Sequence, residues 1–450
     1  MHADRYGLEL TTGSPAAAAC WCDGADRFLA ADGGALEAFE RAIAEDDAFA
    51  LAHAGRARVL QLRGRTAEAR ADVVRARALA PKATDRERSH VDVLATLIEG
   101  DSAGALARIR AHVRRYPRDA FALQPATNVF GLIGFSGRAG REQEVFDLLA
   151  PLARAYGEDW WYLGTIGFWH TELGRVEQGL ELNRRSLDAN PRNGNAAHGL
   201  AHAWYELGED EAGLGFLARF LSGFPRDAAM HCHVSWHLAL LELRSGQPER
   251  MWAIYADAIA PGASRLAPPL NTETDAASLL WRAGLQGERV PLEPWRDVRT
   301  FGLEQFPPTS IAFLDVHRAM ACAMAGDGAT LGSIVAAMRD ADARETLPPG
   351  GIAPDALQAL AAFAAGDDDG TIRLLAPRLE DLVRIGGSHA QRDLFTHTLI
   401  AAYLRRARFE EARALAERLP WRADLGARLL ILRALAHPDR ADGADSGLPP

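Results

Sequence analysis

Lysine is almost missing from this chain of 450 residues: Lys82 stands alone, and arginine supplies the remainder of the 50 basic side chains. Set against 60 acidic residues, that leaves a formal charge of −10 and speaks against the clustered positive face that nucleic-acid backbones require. No nucleic-acid partner is therefore expected. Cysteine is scarce too, at four residues, and Cys20 and Cys22 stand too close together to found a disulfide scaffold, so a reducing cytoplasm fits best. The first residues, with Asp4 and Arg5 ahead of a polar stretch, hold no apolar run of signal length. Nowhere does an apolar run approach the roughly 18–20 residues of a membrane span, so no membrane partner is expected. Alternating Val, Ile, Thr or aromatic runs are also missing, which leaves a sheet unexpected. Nor is there a phosphate loop, a GxSxG, an HExxH or a CxxC pair, and the lone Cys20-Trp21-Cys22 string reads as structural.

The strongest positive signal is repetition. Residues 159–191 are followed by a second copy at 193–225, with turn glycines Gly174 and Gly208 34 residues apart and closing prolines Pro191 and Pro225 also 34 apart. This is the period, and the Gly-turn, Pro-terminated pattern, of a tetratricopeptide repeat. Weaker copies turn at Gly64, Gly100, Gly246 and Gly326, and residues 392–420 read as a last helical pair. The expected fold is all-α: a tetratricopeptide-like α-solenoid of antiparallel helix pairs stacked into a right-handed superhelix. Its expected parts are an N-terminal segment 1–33, repeats over 34–261, an irregular Pro-rich connection 262–308, C-terminal helical repeats 309–436 and a disordered tail 437–450. Prolines at 268, 269, 291, 294, 307 and 308 mark the connection, which reads either as a loop over the groove or as a degenerate repeat.

The register of the repeats makes the histidines specific. His198 with His202 and His233 with His237 are pairs four residues apart, a spacing that returns both side chains to one helix face. Both pairs fall on first helices of successive repeats, which line the concave side of such a solenoid, so the four imidazoles are candidate ligands for a divalent metal such as zinc. Glu206 continues the stripe as HxxxHxxxE, and Glu172 holds the same place before Gly174 that Glu206 holds before Gly208. Both are candidate catalytic carboxylates. The alternative is that the histidines hydrogen-bond across a packed interface beside Trp204 and Trp236, and that the acids are solvated helix ends.

Two further strings stand out. Asp315 and His317 form a candidate carboxylate and imidazole pair, although residues two apart do not share a helix face. In GGSHAQRD at 386–393, a double glycine leads to Ser388 as an N-cap, and Gln391, Arg392 and Asp393 occupy the first helical turn. Free amides there, with Arg392, form a candidate anion site; the alternative is an Arg-Asp tie between repeats. Trp236 is a further candidate substrate contact.

These strings together, His198 with His202, Cys232-His233-Trp236-His237, Asp315 with His317, and GGSHAQRD, resemble the tetratricopeptide repeat protein 38 family, as a bacterial member. The likeness runs over most of the chain, including residues 86–90, and is loose between the strings. It implies a divergent all-helical repeat fold and no established activity. His389 departs from the family string, which has Asn, so the resemblance does not make it an obligatory ligand.

Two functions follow as expectations. The first is a binding module whose His-, Glu- and Trp-lined concave pocket takes a small polar or anionic ligand, or a peptide. The alternative is a small-molecule enzyme in which His198, His202, His233 and His237 hold a metal or act as acid and base.

Overall fold

The computed structural model describes residues 2–264, 266–307 and 309–418; the expected tail 437–450, the expected repeat residues beyond 418 and Pro308 lie outside the described residues. Within them the chain is a succession of helix hairpins, and the single strand pairing is the two-residue antiparallel contact of His2–Ala3 with Glu9–Leu10. That pairing is too short to leave an alternating pattern in the sequence.

The hairpins follow from local chemistry. Asp159 caps the helix Trp160–Glu172 by accepting from the Tyr162 amide, and Asn193 caps Gly194–Leu207 by accepting from Asn195 and Ala196. Each of these helices is turned back by a glycine in the left-handed region, Gly174 at φ 77° and Gly208 at φ 68°, where a Cβ would be strained. The return helices Val176–Ala189 and Asp210–Gly223 complete the two pairs. At Gly199 the requirement is space, because a Cβ would lie 2.3 Å from Asn183 Oδ1. Glycine there lets the helix carrying His198 and His202 press onto the helix Val176–Ala189.

Two expectations about organisation are changed. The segment 1–33 already contains a helix, Pro15–Leu29, capped by Ser14 and paired with Ala35–Glu45. The stretch 262–308 is not an irregular connection: it holds the helices Pro269–Leu285 and Leu292–Gln305, and Asn271 to Gly284 are buried throughout. The prolines misled because Pro269 stands at the first helical position, where no N–H is needed and the fixed φ favours the helix, while Pro291 sits at the N-cap.

The coil closes on itself through polar contacts between distant segments. The Gly194 amide donates to Ala30 O at 2.8 Å, Arg192 pairs with Asp32 at 2.7 Å, and Arg141 and Arg384 donate to Val383 O and Gly137 O, each at 2.8 Å. The apolar interior is divided accordingly into an N-terminal core spanning Tyr6 to Trp169 and a C-terminal core spanning Trp236 to Ala416, with a small cluster from Ala201 to Leu241 between them. Buried histidines and acids concentrate at that seam. No helix among the described residues is long and apolar enough to cross a membrane.

Candidate functional site

The helices Gly194–Leu207 and His231–Arg244 lie side by side at the seam and bring their four histidines together. One ring nitrogen from each of His198, His202, His233 and His237 lies within 4.8 Å of the others. His202 Nε2 and His198 Nε2 are 2.9 Å apart, so one proton is shared between them. The rings are held between aromatic plates: His198 stacks on Phe168 at 5.3 Å and His233 on Trp236 at 5.3 Å.

Carboxylates grip the outer edges of two of these rings. Asp275, from the helix Pro269–Leu285, meets His233 Nδ1 at 2.8 Å, and Glu172 Oε1 lies 3.1 Å from His202 Nδ1. The Asp275 hydrogen bond fixes the Nδ1–H tautomer of His233 and leaves its Nε2 as the lone-pair nitrogen, the carboxylate–histidine arrangement that orients metal ligands, whereas Glu172 approaches His202 outside hydrogen-bond geometry. His237 Nε2 is buried and has no hydrogen-bond partner. A buried nitrogen without a partner costs about 1–3 kcal/mol, and this one belongs to a ring packed against three other imidazoles, a donor set that suits a metal ion.

Protonation cannot fill that role. Burial, then the neighbouring His202 and His233, holds the pKa of His198 well below the ordinary imidazole value; burial and the other three rings do the same to His237. At neutral pH both are neutral bases. Tetrahedral bonds of about 2.0–2.1 Å separate ligand nitrogens by about 3.3 Å, which falls between the 2.9 Å of the His198–His202 pair and the 4.8 Å that bounds the whole set.

A second cluster adjoins the first through Glu172. Its Oε2 accepts from the His389 backbone amide at 2.9 Å, while the His389 ring lies 3.8 Å from Glu142 and 3.7 Å from Glu206. Burial opposes protonation of His389, but Glu172, Glu142 and Glu206 overcome it and hold its pKa well above the ordinary value. Glu172 is held below the usual carboxylate range against its own burial, by His389, His202 and Arg392. His389 is thus a cation tying the N-terminus of the helix His389–Arg405 to the histidine centre.

A cavity of about 240 Å³, partly open to solvent, reaches the centre from the N-terminal half, with His198 and His233 in its wall. Phe28, Phe130, Phe168 and Trp161 make its apolar sides, and Arg58, Gln124, Asn128 and Asn195 its polar points.

The remaining candidates from the sequence fall elsewhere. Trp236 is fully buried behind His233, with the Arg282 guanidinium 5.5 Å over its ring, so it positions an imidazole and meets no ligand. Asp315 pairs with Arg318 at 2.9 Å and His317 Nδ1 donates to Phe313 O at 2.7 Å; the two do not meet, as their spacing on one helix dictates. Ser388 and Gln391 form a reciprocal capping box, and Gln391 reaches the cavity wall. Arg392 is taken by Glu142 at 2.8 Å and Asp393 by the Tyr205 hydroxyl at 2.8 Å, with burial raising the Asp393 pKa to about 6. The helix start expected to hold an external anion is therefore occupied by internal carboxylates. Glu206 stands with His389 and apart from the imidazole cluster. Reading the sequence missed Asp275 and Glu142 altogether.

Fold and site together define an all-α helical-repeat protein with a buried histidine centre. No family model matches the chain. Solved structures similar to it include the human IFIT1 dimer with m7Gppp-AAAA, at 13% identity over 88% of this chain and 90% of that one with a TM-score of 0.42. The human IFIT1 dimer with PPP-AAAA matches at 13% identity, 93% of each chain and a TM-score of 0.42. The complex of Naa15/Naa10 bound to HypK-THB matches at 12% identity, 95% of this chain and 74% of that one, with a TM-score of 0.23. Likeness at this level says nothing about what this chain binds.

Proposed function

We propose that this protein binds a small molecule in this cavity, at a divalent-metal centre held by His198, His202, His233 and His237. The observation that carries the reading is the orphaned His237 Nε2, facing three other imidazoles in a site where burial refuses protons. Four imidazole donors suit zinc, copper, iron or nickel, and the carboxylates Asp275 and Glu172 suit a metal site better than an acid–base pair, since neither faces the cavity. When bound, such an ion would supply Lewis-acid character beside the cavity, in whose wall His198 and His233 stand, to a ligand taken as a fifth donor or in place of one imidazole. This gives the small-molecule enzyme its specific support. A peptide is disfavoured, because the coil is closed where a groove for an extended segment would have to open. The resemblance to the tetratricopeptide repeat protein 38 family belongs with this reading, since His198xxxHis202 and Cys232-His233-Trp236-His237 are the strings that furnish the four ligands.

The test is thermal unfolding of chelator-treated protein with added zinc. At about one hundred times Kd, zinc is expected to add about 2.7 kcal/mol to the wild type and nothing to the His202→Ala/His237→Ala variant. An equal increment in both proteins would remove the reading.

A further inference from the structure

Arg58 sits in the wall of the same cavity, on the helix Ala50–Leu62, and is buried to 7% exposure. A buried guanidinium ordinarily has a carboxylate or a set of carbonyls. Arg86 has Asp119, Arg318 has Asp315, and Arg141 has the carbonyls of Val383 and Gly387. Arg58 is different. Its Nη1 donates to Gln61 Oε1 at 2.6 Å and its Nη2 reaches Gln124 Oε1 at 3.5 Å, both neutral oxygens, and Nε has no partner. Among the described residues no carboxylate lies within ion-pair distance of Arg58: of the two acids on the same wall, Asp32 is taken by Arg192 and Asp227 does not reach the guanidinium.

Building on the reading of the cavity as a small-molecule site, we infer that Arg58 is its anion anchor and that the ligand is a small carboxylate with an apolar body, whose far end reaches the histidine centre. One buried positive charge without a counter-ion calls for a negative charge, since an unpaired buried ion costs several kcal/mol; Arg63, the second arginine on the wall, is only half-buried, so a single carboxylate answers the buried charge. A planar carboxylate also matches the edge of a guanidinium, which can donate two parallel hydrogen bonds to it. The apolar walls from Phe28, Phe130 and Phe168 ask for a hydrocarbon or aromatic body between the two ends. Burial alone lowers the Arg58 pKa to about 10, which still leaves it fully charged at neutral pH.

Calorimetric titration of octanoate, octanamide and octyl phosphate into the whole protein tests this. Octanoate is expected to bind the wild type, with the isosteric neutral octanamide and the dianionic octyl phosphate each weaker by about tenfold to a hundredfold, the range for a charge-assisted hydrogen-bonded pair. Arg58→Gln should lose the preference for octanoate over octanamide, with bound metal unchanged. Equal affinity for octanoate and octanamide in the wild type, tighter binding of octyl phosphate, or an unchanged preference in Arg58→Gln would overturn the assignment. The wild-type comparison decides the matter even if the variant fails to fold. The His202→Ala/His237→Ala variant separates this inference from the metal reading: octanoate binding that persists there, still sensitive to Arg58, upholds the anchor whatever the metal content proves to be.

Discussion

Two buried histidine clusters in this chain are built on opposite plans. In the N-terminal half, His90 and His112 turn their nitrogens onto one anion: His90 Nδ1 lies 3.0 Å and His112 Nε2 3.1 Å from Asp119, Arg86 adds a contact at 2.8 Å, and His112 Nδ1 meets Ser89 Oγ at 2.8 Å. The three cations or donors overcome burial and hold the Asp119 pKa well below the usual carboxylate range. At the seam, His198, His202, His233 and His237 turn their nitrogens onto each other, and the carboxylates Glu172 and Asp275 stand outside the ring of imidazoles. The first arrangement is complete as it stands. In the second the imidazoles meet one another, with one proton between His198 and His202, and the difference lies in where the negative charge sits: at the centre in one, behind the rings in the other.

The comparison can be broken in order of expected effect. Asp119→Ala should cost about 3–5 kcal/mol in denaturant unfolding, because it strands Arg86 and two imidazoles in the core, yet leave the zinc increment of the folded protein unchanged. A change in metal affinity in that variant would mean that the two clusters are not independent. Asp275→Asn should act the other way round, with a small loss of stability and a tenfold to hundredfold loss of zinc affinity in a competition titration, roughly the range for orienting partners of metal ligands. His112→Asn, the matched change in the first cluster, should leave zinc affinity where it was.

The last test is in pH dependence. Because the folded-state pKa values of His198 and His237 are depressed, the stability tied to them is fully present above about pH 6.5 and is lost as pH falls from there toward the folded values. His317, lowered to about 4, and His397, lowered to about 3, act in the same direction, whereas His389, with a raised pKa, loses its contribution as pH rises. Unfolding of metal-free protein between pH 6.5 and 5 should therefore fall less steeply in His198→Ala/His237→Ala, by up to ~1.4 kcal/mol per pH unit for each imidazole removed. Identical slopes would mean that these two rings are protonated in the native state.

What the sequence discloses of this comparison is uneven. The repeat period and its turn glycines place the hairpins, and the four-residue spacing of the histidines within that register places four rings on two adjacent inner helices; both are local signals. Asp275 was hidden because Pro268 and Pro269 look like breakers of a helix that Pro269 in fact begins. Glu142 and His389 were hidden for a different reason. Their meeting depends on closure of the coil across nearly 250 residues, through Arg141, Arg384 and Arg392, and no short pattern records that contact. The same closure turned the expected open groove into a cavity and gave the helix start at Ser388 to Glu172 in place of an external anion. Arg58 carried no signal at all, since an arginine on a helix becomes informative only when its missing counter-ion can be seen.

X-ray absorption of the zinc-loaded protein tests the central claim most directly. The account predicts a first shell dominated by imidazole nitrogens at about 2.0–2.1 Å, with the multiple-scattering signature of four histidines that falls away in His202→Ala/His237→Ala. A shell of carboxylate oxygens or thiolate sulfur, or zinc that does not stay with the protein, would contradict it.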